Sequence, residues 1–155
     1  MQAPLSGPQR TEVESLIPQD GAAEKLFGLH VLIADDSPAN RTVLSTICEQ
    51  LGMSYELADD GFEAVELWRK HEFDVILLDI SMPRWAGTDA LKQIHDESWI
   101  LGRKMPCVIA VTANIMSEQI SYYIEAGFAA VVPKPFRKDQ LVNSISQSLD
   151  KRKTA

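Results

Sequence analysis

The chain has 155 residues, of which 45% are hydrophobic and 24% are charged, enough apolar material for one globular domain with a full core. Its formal charge of −7 excludes sequence-independent attraction to nucleic acid or to anionic lipid. The first residues lack the pattern of an export signal, and no apolar run approaches the ~20 residues of a membrane span. Cys48 and Cys107 lie inside apolar segments without metal-binding spacing, which predicts core thiols. We therefore expect a soluble, cytoplasmic protein.

Both ends of the chain differ in composition from its middle. Residues 1–27 contain Pro4, Pro8 and Pro18 and few large apolar groups, which is typical of a flexible arm or linker. We expect this arm to lie outside the core and to form at most a frayed helix around residues 11–17. Residues 151–155 form a basic C-terminal tip, which is predicted to complement a helix dipole.

The segment between these ends alternates short apolar runs with longer segments of helical periodicity. The predicted strands are 30–34, 53–57, 74–78, 107–111 and 129–132, and the predicted helices are 38–51, 61–71, 88–97, 117–126 and 137–149. Strict alternation indicates a parallel sheet with helices on both faces. The first, third and fourth strands are the most apolar and belong in the centre, which favours the strand order 2-1-3-4-5 of a flavodoxin-like (βα)5 fold.

Polar residues follow four of the predicted strands. Asp35-Asp36 follows the first strand, Asp79 the third, Thr112 the fourth and Lys134 the fifth. In a parallel sheet these residues share one edge, where three neighbouring carboxylates require a cation, and Mg²⁺ is the natural candidate. Lys134 and Thr112 would then bind phosphoryl oxygens, and Asp79 would be the nucleophile that forms an aspartyl phosphate.

Each of these residues also has an ordinary structural explanation. Asp-Asp-Ser-Pro is often only a helix N-cap, and a lone aspartate at a strand end is often a turn former. A threonine at such a position often only caps a helix, and a lysine there is often only a solvated surface residue. It is the combination, at the ends of neighbouring strands, that favours a functional site.

Over about residues 28–150, the combination resembles the response-regulator receiver family. The resemblance is carried by Asp35-Asp36, Asp79-x-x-Met82-Pro83-x-x-x-Gly87, Thr112-Ala113 and Lys134-Pro135-Phe136. It implies that Asp35 and Asp36 are the acidic metal ligands, and that Asp79 is the phosphoacceptor and also binds the metal. The Ser81 backbone carbonyl would be a further metal contact. Thr112 would supply the switch hydroxyl, and Lys134 would bind the phosphate. A cis Lys134-Pro135 bond is also implied.

The resemblance further implies partners. A histidine kinase or a histidine phosphotransfer protein would supply the phosphoryl group. A downstream protein would bind the face formed by the fourth helix, fifth strand and fifth helix of the repeat, segments 117–126, 129–132 and 137–149. The short strings around Asp36 and Thr112 are similar to receivers of hybrid histidine kinases, and a stand-alone regulator is the other possibility. No direct contact with nucleic acid or membrane is expected.

The sequence departs from the family pattern at two positions. Val131 occupies the place where many receivers carry a switching aromatic residue. Ala86 stands where the family often has an acidic residue just before the glycine. In the same loop, Trp85 would either shield the acyl phosphate or dock a phosphodonor, or lie flat on the following helix.

Two other classes of protein stay open. One is a pseudoreceiver that binds partners without taking phosphate. The other is a small Mg²⁺-dependent phosphatase of the haloacid dehalogenase type, but that family needs a second aspartate two residues after a nucleophile on the first strand, and Ser37 stands there.

Overall fold

The protein forms a five-stranded parallel sheet with helices on both faces. The structure is a computed structural model that describes residues 21–154, with side chains through residue 152. The strand order is β2-β1-β3-β4-β5, with every neighbouring pair parallel, which confirms the predicted flavodoxin-like arrangement. The strands are β1 (His30–Ala34), β2 (Ser54–Ala58), β3 (Val75–Asp79), β4 (Cys107–Thr112) and β5 (Ala130–Pro133).

Within residues 21–154, six helices cover the two faces. They are α1 (Ala22–Leu26), α2 (Pro38–Gln50), α3 (Gly61–Lys70), α4 (Gly87–Leu101), α5 (Ser117–Ala126) and α6 (Lys138–Thr154). Buried side chains of α1, α2 and α6 form one core with one face of the sheet, and those of α3, α4 and α5 form a second core with the other face. The sheet is therefore shielded from water on both sides, as its apolar central strands require.

The ends of the central strands lie level with one another. Every residue of β3 and β4 is buried, as predicted for strands covered on both faces. Ala34 pairs with Leu78 on the neighbouring strand, and Asp79 pairs with Val111. The residues that follow β1 and β3 therefore emerge side by side at the carboxyl edge of the sheet.

The N-terminal boundary differs from the expectation that residues 1–27 lie outside the core. Residues 22–26 form α1, in which Ala22 and Leu26 are buried in the same core as α6. Lys25 Nζ also lies 2.9 Å from Asp150 Oδ2. We therefore propose that the folded unit includes residues 22–27, which the sequence placed outside it. Residues 1–20, including the predicted frayed helix, lie outside the described residues.

The C-terminal tip is part of α6, which continues to Thr154. Within it, the Arg152 guanidinium donates to the carbonyl of Met105. Cys48 and Cys107 are buried and unpaired, as predicted for core thiols. Within the part of the chain that the structure describes, no helix combines the length and apolar character needed to cross a membrane.

The burial of α1 makes a prediction for stability. Leu26 is fully buried, so Leu26→Ala is expected to lower the free energy of unfolding by about 2–4 kcal/mol through lost burial and a residual cavity. The same substitution at Leu101, which is 61% exposed, is expected to change it by less than about 1 kcal/mol. Urea denaturation of the two variants gives the comparison. Equal effects would show that α1 does not belong to the core.

Candidate functional site

Three carboxylates meet at the carboxyl edge of the sheet. Asp35 and Asp36 follow β1, and Asp79 is the last residue of the neighbouring strand β3. One carboxylate oxygen from each residue lies within 4.8 Å of those of the other two. Asp35 and Asp79 are buried, whereas Asp36 is exposed. The fold thus gathers the acidic residues that the sequence predicted as a metal site.

The first turn of α2 orients the Asp35 carboxylate. Its Oδ1 accepts hydrogen bonds from the Ser37 backbone N–H at 2.9 Å and from Asn40 Nδ2 at 3.3 Å. Arg41 donates to the Asp35 backbone carbonyl at 2.6 Å. Sequence reasoning assigned no role to Asn40 or Arg41. The available signal was their place in the first turn of a helix that directly follows the acidic pair.

Lys134 contacts two of the carboxylates. Its Nζ lies 3.3 Å from Asp35 Oδ2 and 3.1 Å from Asp79 Oδ2. Partial burial disfavours the charged ammonium, but the attraction of the nearby Asp79 carboxylate, together with that of Asp35, outweighs it and raises the pKa of Lys134. The Lys134-Pro135 peptide bond is cis, as the family resemblance implied.

Asp79 is the most perturbed carboxyl group of the site. Burial, followed by the negative charge of Asp35, raises the pKa of Asp79 to about 6, and Lys134 and the Ser81 N–H only partly oppose this. Asp79 Oδ1 accepts from the Ser81 N–H at 3.2 Å. Its Oδ2 is buried and has no hydrogen-bond donor in suitable geometry among the described residues, although the Lys134 ammonium is close.

The donor set fits a hard divalent cation. Three carboxylates face one ammonium group, which leaves an excess of negative charge at a largely buried position. One buried oxygen of Asp79 still lacks a hydrogen-bond partner. Carboxylate oxygens are the ligands that Mg²⁺ prefers, so the residues present are suited to hold this ion.

Thr112 lies at the same edge. It is a buried residue at the end of β4, and its Oγ1 accepts from the Asn114 backbone N–H at 3.0 Å. Its carbonyl accepts from the Lys134 N–H at 3.0 Å, so the two residues are neighbours. The metal contact expected from the Ser81 carbonyl stays a prediction, since only the Ser81 N–H has a described bond in the site.

Trp85 makes a contact that the sequence did not predict. Its half-buried ring meets the ring of Phe62 edge to face, with centroids 5.6 Å apart. Phe62 lies in the first turn of α3. Trp85 therefore packs against the start of α3, in addition to the core that includes α4.

The family model of the response regulator receiver domain matches residues 31–146. The chain belongs to this family. Receiver domains are signalling modules of two-component systems, and the match covers most of the folded unit described above. The flavodoxin-like strand order and the edge at which the acidic residues meet agree with this assignment.

Sensor kinases are among the curated relatives. The autoinducer 2 sensor kinase/phosphatase LuxQ of Vibrio vulnificus strain YJ016 is 32% identical over 130 residues, which are 83% of this chain and 15% of LuxQ. The signal transduction histidine-protein kinase BarA of Escherichia coli K12 is 34% identical over 120 residues, 77% of this chain and 13% of BarA. The receiver chain thus spans less than a sixth of the curated relatives it matches.

Two solved structures are informative about receiver chemistry. A chain in the co-crystal structure of the Saccharomyces cerevisiae histidine phosphotransfer protein Ypd1 and the receiver domain of Ssk1 is 25% identical, with a TM-score of 0.76 and coverage of 82% of this chain and 92% of that chain. The receiver domain of sensor histidine kinase PA1611 from Pseudomonas aeruginosa PAO1 is 26% identical, with a TM-score of 0.68 and coverage of 79% and 98%. In that structure a magnesium ion is coordinated in the active site cleft.

The raised pKa of Asp79 makes a prediction for the metal-free receiver. The pKa of Asp79 is about 6 in the folded state, compared with an ordinary value of 3.8. Between these pH values the folded state binds more protons than the unfolded state does, so stability falls as the pH rises through that window. Asp79→Asn removes this loss. We expect it to raise the free energy of unfolding by about 1–3 kcal/mol at pH 7.5, and by much less at pH 4.

The measurement is urea unfolding in EDTA at both pH values. Asp59→Asn, which changes an exposed carboxylate on the β2–α3 loop, is the matched control and should have little effect at either pH. A variant at position 79 that is no more stable than the wild type at pH 7.5 would contradict the electrostatic account of the site.

Proposed function

We propose that this receiver accepts a phosphoryl group on Asp79 in a Mg²⁺-dependent reaction. The observation that carries the proposal is the state of the Asp79 carboxylate: a buried oxygen without a hydrogen-bond donor, 3.1 Å from the Lys134 ammonium and next to two further carboxylates. Its burial keeps bulk water away from this oxygen. The ammonium beside it is placed to attract an incoming phosphoryl group.

In the proposed reaction an oxygen of the ionised Asp79 carboxylate attacks the phosphorus of the donor. A bond forms between this oxygen and phosphorus as the bond between phosphorus and the donor's imidazole nitrogen breaks, and that nitrogen keeps the electron pair. Lys134 binds a phosphoryl oxygen and offsets its charge, and the Thr112 hydroxyl donates to another. Alignment and charge neutralisation account for most of the rate.

The proposed metal ligands are the three carboxylates and the Ser81 backbone carbonyl. Asp36 is the exposed member of the trio, so it remains accessible to an ion that keeps several waters. Asp35 is held in place by Ser37 and Asn40. When bound, Mg²⁺ supplies positive charge that offsets both the carboxylates and the transferring phosphoryl oxygens.

The proposed output surface is the face formed by α5, β5 and α6. Thr112 directly precedes the β4–α5 loop, and Lys134 directly follows β5. Movement at either residue is therefore passed to this face. The loop and α5 expose several apolar side chains, which supports a protein partner: Ile115, Met116, Tyr122 and Ile124. Val131 is half-buried on β5 and has no aromatic ring to swing, so we propose that the signal passes through Thr112 and the loop after it, or through the change in charge at the site.

We propose a histidine kinase or a histidine phosphotransfer protein as the phosphodonor. The family assignment supports this class of donor, and a similar receiver domain was crystallised with a histidine phosphotransfer protein. The relatives that match at 32–34% identity include sensor kinases, which supports a phosphorelay in the cytoplasm as the setting. The two unpaired cysteines agree with a reducing compartment.

The test is phosphorylation by a small donor. After incubation with acetyl phosphate and Mg²⁺, intact-mass measurement should show one phosphoryl group per chain that is stable to acid and labile to base. The adduct should be absent in Asp79→Asn and in samples treated with EDTA, because both the acceptor oxygen and the cation are required.

Asp59→Asn controls for loss of a carboxylate near the site and should still form the adduct. If the wild-type chain binds Mg²⁺ but takes no phosphoryl group from acetyl phosphate or from a phosphorylated histidine phosphotransfer protein, it is a pseudoreceiver, and the proposal is wrong. Steady turnover of phosphate esters would instead indicate a phosphatase.

A further inference from the structure

The segment between β3 and α4, residues 80–86, carries the proposed metal contact of Ser81 and is fixed at both ends. The Ile80 N–H donates to the Val111 carbonyl at 3.2 Å, and the Gly87 N–H donates to the Ile80 carbonyl at 2.9 Å. Gly87 lies so close to the Asp79 carbonyl that a Cβ atom would clash there. We call residues 80–86 the acceptor loop. These contacts do not fix the tip of the loop, which contains Arg84 and Trp85.

The tip is bound by an ion pair with a buried carboxylate. Arg84 Nε and Nη2 lie 2.6 and 2.5 Å from Oδ2 of Asp60, whose side chain is only 7% exposed. The other oxygen of Asp60 accepts from the Glu63 N–H at 2.8 Å and so caps the N-terminus of α3. A buried carboxylate that both caps a helix and pairs with a guanidinium holds the loop more strongly than an exposed ion pair does.

Two further contacts flank this ion pair. The Arg84 guanidinium lies 4.9 Å from the centroid of the Phe62 ring, and the same ring meets Trp85 edge to face. The backbone also approaches closely, because a Cβ atom added to Gly61 would lie 2.5 Å from the Trp85 carbonyl oxygen. The tip of the acceptor loop therefore lies directly on the first turn of α3.

The backbone of Arg84 shows that this position depends on its contacts. Its φ of 65° lies in the left-handed region, which is disfavoured for a residue with a Cβ atom. Arginine has no intrinsic preference for this conformation. The ion pair with Asp60 is among the contacts that hold the residue in this conformation.

We propose that Arg84 is a positioning residue for the metal site. By binding Asp60 it holds the acceptor loop in one conformation, so that the Ser81 carbonyl faces the carboxylate trio before the ion arrives. The inference rests on the proposed function, because it takes Mg²⁺ to bind at the trio. A loop ordered in advance binds the ion at a lower entropic cost, and partners that orient metal ligands typically set affinity.

The experiment compares Mg²⁺ affinity among variants of the full chain by isothermal titration calorimetry at pH 8. Arg84→Ala is expected to raise the Kd for Mg²⁺ about tenfold, the lower end of the effect typical for residues that orient metal ligands. Arg84 is 60% exposed, so its truncation leaves no core cavity. Arg84→Lys keeps the charge without the two-nitrogen contact and should fall between the wild type and Arg84→Ala.

A second variant separates the ion pair from the helix cap. Asp60→Asn keeps a side chain that caps helices well but removes the negative charge, and it should weaken Mg²⁺ binding as Arg84→Ala does. The double variant should be no worse than either single one, because both remove the same interaction.

Arg69→Ala is the matched control. Arg69 is also an arginine in an ion-pair network of α3, but it lies in the last turn of that helix and pairs with Glu66 of α3 and Glu97 of α4, whereas the acceptor loop lies on the first turn. It should keep the wild-type Kd. If Arg84→Ala and Asp60→Asn bind Mg²⁺ like the wild type, the inference is overturned while the phosphoacceptor proposal stands. A wild-type chain that binds no Mg²⁺ overturns both.

Discussion

The crowding of negative charge at the carboxyl edge of the sheet is the constraint on which the site depends. Two of its three carboxylates are buried, and one ammonium group cannot neutralise all three. Burial, followed by the negative charge of Asp35, raises the pKa of Asp79, and one buried oxygen of Asp79 has no hydrogen bond in suitable geometry among the described residues. A protein keeps such an arrangement where a cation and a charged substrate complete it, because burying unpaired charge otherwise only destabilises the fold.

The sheet topology creates this crowding. Strands β1 and β3 are separated by a long stretch of sequence but are neighbours in the sheet, so Asp35 and Asp79 emerge together. Since successive side chains of a strand point to opposite faces, a shift of one residue in register would turn Asp79 away from Asp35. The buried apolar residues of β1, β3 and β4 prevent such a shift. The core therefore supports the chemistry by fixing where the strands end.

Sequence reasoning predicted the features that depend on local pattern. Apolar runs and helical spacing placed all five strands within one residue of their observed bounds, and parallel strand ends placed the acidic trio with Lys134 at one edge. Features that depend on partners distant in the chain were missed. The burial of α1 comes from packing on α6, which the five residues of α1 do not reveal by themselves. The pair of Arg84 with Asp60 joins loops 24 residues apart.

The central claim is that the side chains of two adjacent strand ends share one metal ion. Diffraction from crystals of the chain grown with Mn²⁺, at a wavelength where manganese scatters anomalously, tests it most directly. We expect one strong anomalous peak at the trio of Asp35, Asp36 and Asp79, with the Ser81 carbonyl as a further ligand. No peak at the trio, or carboxylates that point to different sides of the molecule, would contradict it.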